Sequence, residues 1–85
     1  MKEIKQTKMF QKAAKKLHPN EKRKLDEVVR KIAKAPESGD AKRGTLSGAY
    51  TMDYRMHGGE FRLMYKFDAE SITLLRFGPR ENFYR

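Results

Sequence analysis

The segment YTMDYRMHGGEFRLMYKF, residues 50–67, decides the fold, because its polarity alternates with a period of two on both sides of a Gly-Gly pair. Such alternation is typical of strands with one buried face, and a glycine pair between them indicates a tight hairpin turn. With Gly58-Gly59 as the turn, apolar side chains face each other across the strands: Met56 and Phe61, Tyr54 and Leu63, Met52 and Tyr65. The same register predicts that Arg55 lies directly opposite Arg62 on the other face.

Upstream of the hairpin, apolar residues recur at helical spacing in two segments. Thr7 offers an N-cap oxygen to a first helix, whose apolar positions fall within residues 9–17. A second helix is predicted from about Glu21 to Ala35, with a proline shortly before it and another directly after it. Residues 2–5 are expected to form a brief edge strand, and residues 37–48 are expected to form a loop.

A third strand is predicted from Ser71 to Phe77. Apolar residues occupy both of its faces, with Ile72 and Leu74 on one and Leu75 and Phe77 on the other. The element order is then β-α-α-β-β-β, which predicts an α+β fold of two layers with a helical hairpin packed on a mainly antiparallel sheet. At 85 residues, we expect one domain over residues 1–85.

Charge is the most unusual feature of the composition. The formal net charge is +9, which favours polyanionic partners. Residues 1–35 carry ten Lys and two Arg against four acidic residues, whereas residues 36–85 carry two Lys and six Arg against seven. Cysteine is absent and there are only two histidines, so we expect neither disulfides nor a metal site. No apolar run is long enough to suggest a membrane span or a signal peptide, and we expect a cytoplasmic protein.

The arginines of the second half suggest a candidate site. Two like charges directly opposite each other destabilise a sheet by up to about 1 kcal/mol, so the Arg55–Arg62 pair favours a bound anion. The closing segment, residues 78–85, brings Arg80, Tyr84 and Arg85 towards Arg62. Forked guanidinium donors beside a phenol suit a phosphodiester. The alternative is that Arg55 and Arg62 are solvated or bonded to Asp53 and Glu60, and that Phe83 is a core residue.

Four parts of the chain carry a family resemblance: the helical hairpin, the loop Leu46-Ser47-Gly48, the strand pair with Arg55 and Phe61-Arg62-Leu63-Met64-Tyr65, and the closing Gly78-Pro79-Arg80-Glu81-Asn82-Phe83-Tyr84-Arg85. Together they resemble the RelE/ParE toxin superfamily. They are more similar to the RelE side than to the gyrase-poisoning ParE side. The resemblance implies a type II toxin that cleaves mRNA on the ribosome, without metal or cofactor, by attack of the 2′-hydroxyl to leave a cyclic phosphate. By position, Arg62 and Arg80 match phosphate-stabilising arginines, Arg55 a basic residue facing RNA, and Tyr84 a stacking or proton-transferring tyrosine.

The sequence also departs from the RelE-like pattern. Thr51 and Asp53 stand where such members carry two lysines. Candidates for proton transfer are Asp53, His57 and Glu81. Two alternatives therefore stay open, a ParE-like gyrase poison without enzymatic activity and a module that binds RNA without cutting it. The nuclease hypothesis depends on Arg55, Arg62 and Arg80 sharing one open face without each being neutralised by its own carboxylate.

Basic residues outside the arginine site are expected to dock on RNA of the ribosome through salt-sensitive contacts. The simpler alternative is that they form the solvated faces of two amphipathic helices. We also expect a cognate antitoxin with an acidic, amphipathic segment. The predicted RNA- or ribosome-binding residues are Lys8, Lys12, Lys15, Lys16, Lys22, Lys24, Lys42 and Arg43.

Overall fold

A computed structural model of the chain describes residues 2–56 and 58–84. Over these residues it has two helices on one face of a sheet ordered β1-β5-β4-β3-β2, in which β1 is parallel to β5 and the other neighbours are antiparallel. The predicted two-layer α+β fold is confirmed. The elements are β1 Glu3–Gln6, α1 Lys8–Lys15, α2 Pro19–Lys34, β2 Asp40–Ala41, β3 Tyr50–Met56, β4 Gly59–Phe67 and β5 Ser71–Pro79.

The short strand β2 lies inside the segment that was predicted to be a loop. It pairs with the start of β3, Asp40 with Thr51 and Ala41 with Tyr50. A two-residue strand has no periodicity, so the sequence carries no signal for it. It lies at one edge of the sheet, where its few hydrogen bonds extend the sheet beyond β3.

Helix α1 begins where the sequence predicts, because Thr7 is its N-cap. The Thr7 hydroxyl oxygen accepts a hydrogen bond from the Phe10 backbone N–H at 3.1 Å and donates one to the Leu75 carbonyl at 2.6 Å. Helix α2 begins two residues earlier than predicted, at Pro19, because a proline at the first helical position has no N–H to leave unbonded. Neither described helix is long and apolar enough to span a bilayer.

The main core lies between the helices and the sheet. Helix α2 buries Leu25, Val28 and Ile32, and the ring of Phe10 from α1 packs edge-on against Phe77 with 5.0 Å between centroids. The helical spacing of these apolar residues explains why one face of each helix meets the sheet. The strands contribute Tyr54, Met56, Leu63, Tyr65, Ile72 and Leu74.

Strand β5 contains a bulge at Leu75. Tyr65 pairs with Leu74 while Met64 pairs with Arg76, so Leu75 is an extra residue. Leu74 and Phe77 consequently both face the helices, whereas Leu75 and Arg76 both face the opposite side of the sheet. The prediction that Leu75 and Phe77 share a face is therefore wrong.

The side of the sheet away from the helices, here called the open face, carries a second and smaller apolar cluster. Ala49, Met64 and Phe83 are buried in it, and Leu75 packs against them. Phe83 is only 2% exposed, as expected for a core residue. The closing segment is therefore packed on the open face, which places Arg80 and Tyr84 beside β4.

Candidate functional site

The register of the β3–β4 hairpin decides the charge pattern of the open face. Asp53 pairs with Arg62 and Arg55 pairs with Glu60. The prediction that Arg55 faces Arg62 is wrong by two residues. An even shift keeps every side chain on its predicted face and still pairs apolar residues, Tyr54 with Phe61 and Met52 with Leu63. Charge selects between the two registers, because the observed one places opposite charges across the strands.

Arg62 is held in place by Asp53. Its Nε lies 2.7 Å from Asp53 Oδ1 and its Nη2 lies 3.2 Å from Oδ2, a bidentate pair with the Arg62 side chain only 14% exposed. The hydrogen bonds from Arg62 lower the pKa of Asp53, and the same contact raises the pKa of Arg62. Arg62 is therefore a fixed cation whose orientation is set by one carboxylate.

Tyr84 meets the other side of the same guanidinium. Arg62 Nη1 donates a hydrogen bond to the Tyr84 hydroxyl oxygen at 3.3 Å, and the Tyr84 ring centroid is 5.5 Å from the guanidinium carbon. The Tyr84 side of this contact is open to solvent, since the residue is 52% exposed. The phenol thus has its oxygen bonded by Arg62 and its own proton available for another acceptor.

Arg55 and Arg80 share the second carboxylate. Arg55 Nη2 lies 3.0 Å from Glu60 Oε1, and Arg80 Nη1 lies 2.9 Å from Glu60 Oε2. Arg80 Nε also approaches Asp53 Oδ2 at 3.7 Å. The three arginines do share one face, but Asp53 and Glu60 neutralise most of their charge. We refer to these five residues as the arginine–carboxylate cluster.

Asp53 and Glu60 remove the argument that the arginines need a bound anion. The repulsion between crowded guanidinium groups is offset within the protein, so the inference that only a bound anion makes this crowding tolerable is wrong. One unit of positive charge remains in the cluster after the two carboxylates are counted against the three arginines. The cluster is therefore an ordered set of donors and acceptors, and its electrostatic attraction for an anion is small.

A cleft of about 710 Å³ opens beside the cluster. Its walls come from the β3–β4 hairpin and from the chain after β5, so one wall carries Arg62 and the other Arg80. The cleft thus offers guanidinium donors for phosphate oxygens and carboxylates that can accept a proton. Its lining residues are Gly58, Gly59, Glu60, Phe61, Arg62, Pro79, Arg80 and Glu81.

The predicted proton-transfer residues differ in their positions. Both carboxylate oxygens of Asp53 are bonded to Arg62, whereas Glu81 lines the cleft. His57 lies outside the described residues, as does Arg85. Glu60 was missed as a site residue, because it was considered only as a partner for a solvated arginine. The available signal was the position of Glu60 directly after the glycine pair, because the turn of the hairpin forms one end of the cleft.

The predicted RNA-binding residues lie on two sides of the molecule. Most belong to the helices, where Lys24 makes an ion pair with Glu27 at 3.6 Å. Lys42 is on the cluster side, close enough to Asp53 to contribute to lowering the pKa of that carboxyl. Exposed members of the set are Lys8, Lys12, Lys15, Lys16, Lys22 and Arg43, and the half-buried members are Lys24 and Lys42.

The fold of the chain is similar to that of proteins of known structure. The chain superimposes on the crystal structure of the intact E. coli RelBE toxin–antitoxin complex with a TM-score of 0.77 and 18% identity, covering 96% of this chain and all of that one. It is also similar to a mutant of E. coli toxin RelE in the free state, in which two arginines are replaced by alanine, with a TM-score of 0.74, 16% identity and coverage of 94% and 84%. The same mutant in complex with a RelB peptide gives 0.73 and 18%, with coverage of 98% and 87%.

At these identities the likeness concerns the fold, and sequence evidence comes from a family model. No curated protein matches the sequence. The family described as ParE-like toxin of type II bacterial toxin–antitoxin system matches residues 4–85, which include both helices, the hairpin and the closing segment. The chain therefore belongs to the ParE-like toxins of type II bacterial toxin–antitoxin systems.

Proposed function

We propose that this toxin is a ribosome-dependent endoribonuclease that cleaves mRNA in the cytoplasm without a metal ion. The observation that carries the proposal is the convergence of Arg62, Arg80 and the Tyr84 hydroxyl around a cleft that also holds the Glu60 carboxylate. Cleavage by an internal 2′-hydroxyl needs a proton acceptor, cations for the phosphate and a proton donor for the leaving oxygen. The acceptor and the cations line the cleft, and the donor, Tyr84, adjoins it through its hydrogen bond with Arg62.

We assign the phosphate contacts to Arg62 and Arg80. Asp53 takes one N–H each from Arg62 Nε and Nη2 and Tyr84 takes one from Nη1, which leaves the second N–H of each terminal nitrogen for a ligand. The Arg80 side chain is more exposed, at 53%, and we expect it to exchange Glu60 for a phosphate oxygen. Arg55, 76% exposed at the cluster's rim, is assigned to the neighbouring phosphate. A fixed donor such as Arg62 stabilises the charge that develops on the non-bridging oxygens.

We assign proton transfer to Glu60 and Tyr84. Glu60 accepts the 2′-hydroxyl proton as that oxygen attacks phosphorus, and Tyr84 donates its proton to the departing 5′-oxygen when the P–O bond breaks. The products are a 2′,3′-cyclic phosphate and a 5′-hydroxyl. Both oxygens of Glu60 are also bonded to arginines, but to two exposed side chains, Arg55 and Arg80, that each make one bond. Asp53 is a weaker candidate for the base, because the largely buried Arg62 holds it through a bidentate pair and lowers the pKa of its carboxyl. Glu81 is the second candidate from its position in the cleft.

Primer extension on mRNA from translating ribosomes tests the proposal. The wild-type toxin should leave breaks at defined codon positions with cyclic-phosphate ends. The Glu60→Gln variant should cut at least tenfold more slowly. If Glu81→Gln loses activity instead and Glu60→Gln does not, Glu81 is the base. Absence of breaks with folded wild-type toxin on active ribosomes would contradict cleavage.

The carboxylates also favour a second candidate function. Because Asp53 and Glu60 neutralise much of the arginine charge, the open face could recognise a protein surface through ordered hydrogen bonds, and a ParE-like toxin without enzymatic activity fits such a face. The target would then be DNA gyrase. Supercoiling by purified gyrase in the presence of the toxin separates the two candidates, because only a gyrase poison inhibits it.

We further propose that a cognate antitoxin binds this toxin through an acidic, amphipathic segment. The support is the net charge of +9, together with the two E. coli complexes in which a toxin of this fold is bound to its antitoxin or to an antitoxin peptide. Co-expression with the neighbouring reading frames should recover a small acidic partner. Recovery of a basic partner would contradict the charge argument.

A further inference from the structure

Arg76 is an arginine of the open face that lies outside the arginine–carboxylate cluster. It reaches this face only because of the bulge at Leu75, which turns two successive residues of β5 away from the helices. Within residues 2–56 and 58–84, no carboxylate oxygen lies within 4 Å of its guanidinium nitrogens. Its partners belong to the closing segment instead.

Those partners are the backbone and the ring of one residue. Arg76 Nη2 donates a hydrogen bond to the Phe83 carbonyl oxygen, and its guanidinium carbon lies 4.4 Å from the centroid of the Phe83 ring. The ring is itself buried against Ala49, Met64 and Leu75. Arg76 therefore fixes both the side chain and the main chain of Phe83 against the sheet.

Phe83 directly precedes Tyr84, whose position needs such support. The short turn Arg80–Asn82 is followed by one described backbone hydrogen bond, from Phe83 N–H to the Arg80 carbonyl at 3.3 Å. The Tyr84 ring leans edge-on against the Phe83 ring, with 5.2 Å between centroids and an interplanar angle of 85°. Because the carbonyl bonded by Arg76 belongs to the peptide group that joins Phe83 to Tyr84, movement of that carbonyl would rotate the Tyr84 backbone.

We propose that Arg76 is a positioning residue that sets the Tyr84 hydroxyl against Arg62 by holding the Phe83 carbonyl and ring. Arg62 defines one end of the phenol and Arg76 defines the main chain at the other end, so the two arginines locate Tyr84 between them. The consequence for catalysis rests on the proposed cleavage of RNA, whereas the consequence for structure does not. An Arg76 that bound phosphate itself would instead leave the tail unaffected when replaced.

The first experiment measures the tail directly in the full-length toxin by NMR. In Arg76→Met, the backbone order parameter of Tyr84 should fall to below about 0.6, from the value near 0.85 of rigid backbone. The Arg62 Nε–Hε resonance should shift as the Tyr84 ring leaves it. Arg30→Met, which removes the same charge from an exposed position on α2, should change neither signal. An unchanged order parameter and an unchanged Arg62 resonance would overturn the proposal, whether or not the toxin cleaves RNA.

The second experiment asks whether Arg76 acts through Tyr84. Arg76→Met should lower kcat about as much as Tyr84→Phe does, with little change in KM, and should cost less than twofold more on a Tyr84→Phe background. Arg76→Lys retains a cation and a donor, so it should restore most of the rate and of the tail order. An additive effect in the double variant, or an increase in KM alone, would assign Arg76 to RNA binding instead. If the wild type does not cut RNA, cleavage fails as a function and the NMR result alone decides the role of Arg76.

Discussion

The two layers of this toxin carry positive charge in different ways. On the helical side the charge is mostly lysine on exposed turns, with Lys24–Glu27 as the one ion pair among its described lysines. On the open face the charge is arginine, and the three cluster arginines are bonded to Asp53 or Glu60 at 2.7 to 3.0 Å. Lysine charges without partners attract a polyanion from a distance, whereas bonded arginines give direction and little attraction. We therefore expect the helical layer to attract RNA and the open face of the sheet to carry the proposed cleavage chemistry.

The largest expected effect comes from removing the fixed arginine. Arg62→Ala should lower the cleavage rate by about 10²- to 10³-fold, as loss of one preorganised donor does in other enzymes. RNA affinity should change little, because the helical lysines remain. Single-turnover cleavage and filter binding measure the two quantities separately. A variant that loses affinity and rate together would show that the two layers are not independent.

A smaller effect, on RNA binding and not on the rate of cleavage, is expected on the helical side. Replacing Lys8, Lys12 and Lys15 together by Gln should weaken ribosome binding roughly tenfold or more near 0.1 M salt and reduce the slope of log K against log salt by about two. The rate of cleavage once bound should be unchanged. Unchanged binding would mean that these lysines are only the solvated face of α1, as the simpler interpretation of the sequence holds.

The Asp53–Arg62 pair should contribute to stability in a pH-dependent way. The pKa of Asp53 is lowered in the folded protein, chiefly by hydrogen bonds from Arg62, so its contribution is present above the ordinary value of 3.8 and is lost as pH falls through the folded value. With both side chains partly exposed, we expect Asp53→Asn to lower the free energy of unfolding by about 1 kcal/mol at pH 7. Urea titrations at pH 7 and pH 3 should show the difference shrinking in acid. A difference that grows in acid would contradict this assignment.

The smallest effect is expected for the helical ion pair. Lys24→Gln removes a partly exposed ion pair between residues three apart on a helix, and such pairs stabilise isolated helices by only about 0.2 to 0.5 kcal/mol. Thermal unfolding of this variant beside Asp53→Asn compares the two kinds of pair in one protein. Equal losses of stability in the two variants would contradict the view that the open-face pair is the stronger of the two ion pairs.

The sequence specifies the faces of the hairpin better than its register. Alternation from Tyr50 to Phe67 fixed which side chains meet the helices, and Thr7 correctly marked the start of α1. An even shift leaves alternation intact, so only charge distinguishes Asp53 opposite Arg62 from Arg55 opposite Arg62. Of the site residues, the shared face of the arginines was predicted. The alternative that Arg55 and Arg62 are bonded to Asp53 and Glu60 is confirmed, whereas the bond between Arg80 and Glu60 was not predicted.

The bulge shows a second limit of sequence reasoning. Strict alternation through Leu74, Leu75, Arg76 and Phe77 would turn Arg76 towards the helices, where a guanidinium has no partner. A charged residue inside an apolar run was the available signal that the alternation is interrupted. Because the bulge was not predicted, Arg76 was absent from the candidate residues, although its contact with Phe83 orders the tail.

The parallel pairing of β1 with β5 has a consequence for how activity arises during folding. Glu3 pairs with Ser71 and the Thr7 hydroxyl bonds Leu75, a separation of 68 residues along the chain. Contacts between residues so far apart in the chain form slowly, because the entropy cost of closing a long loop comes before any stabilisation by the contact. The same strand leads directly into Arg80, so a chain that has formed only its helices and first hairpin has no assembled cleft. Under the proposed function, incompletely folded toxin should accordingly not cleave RNA.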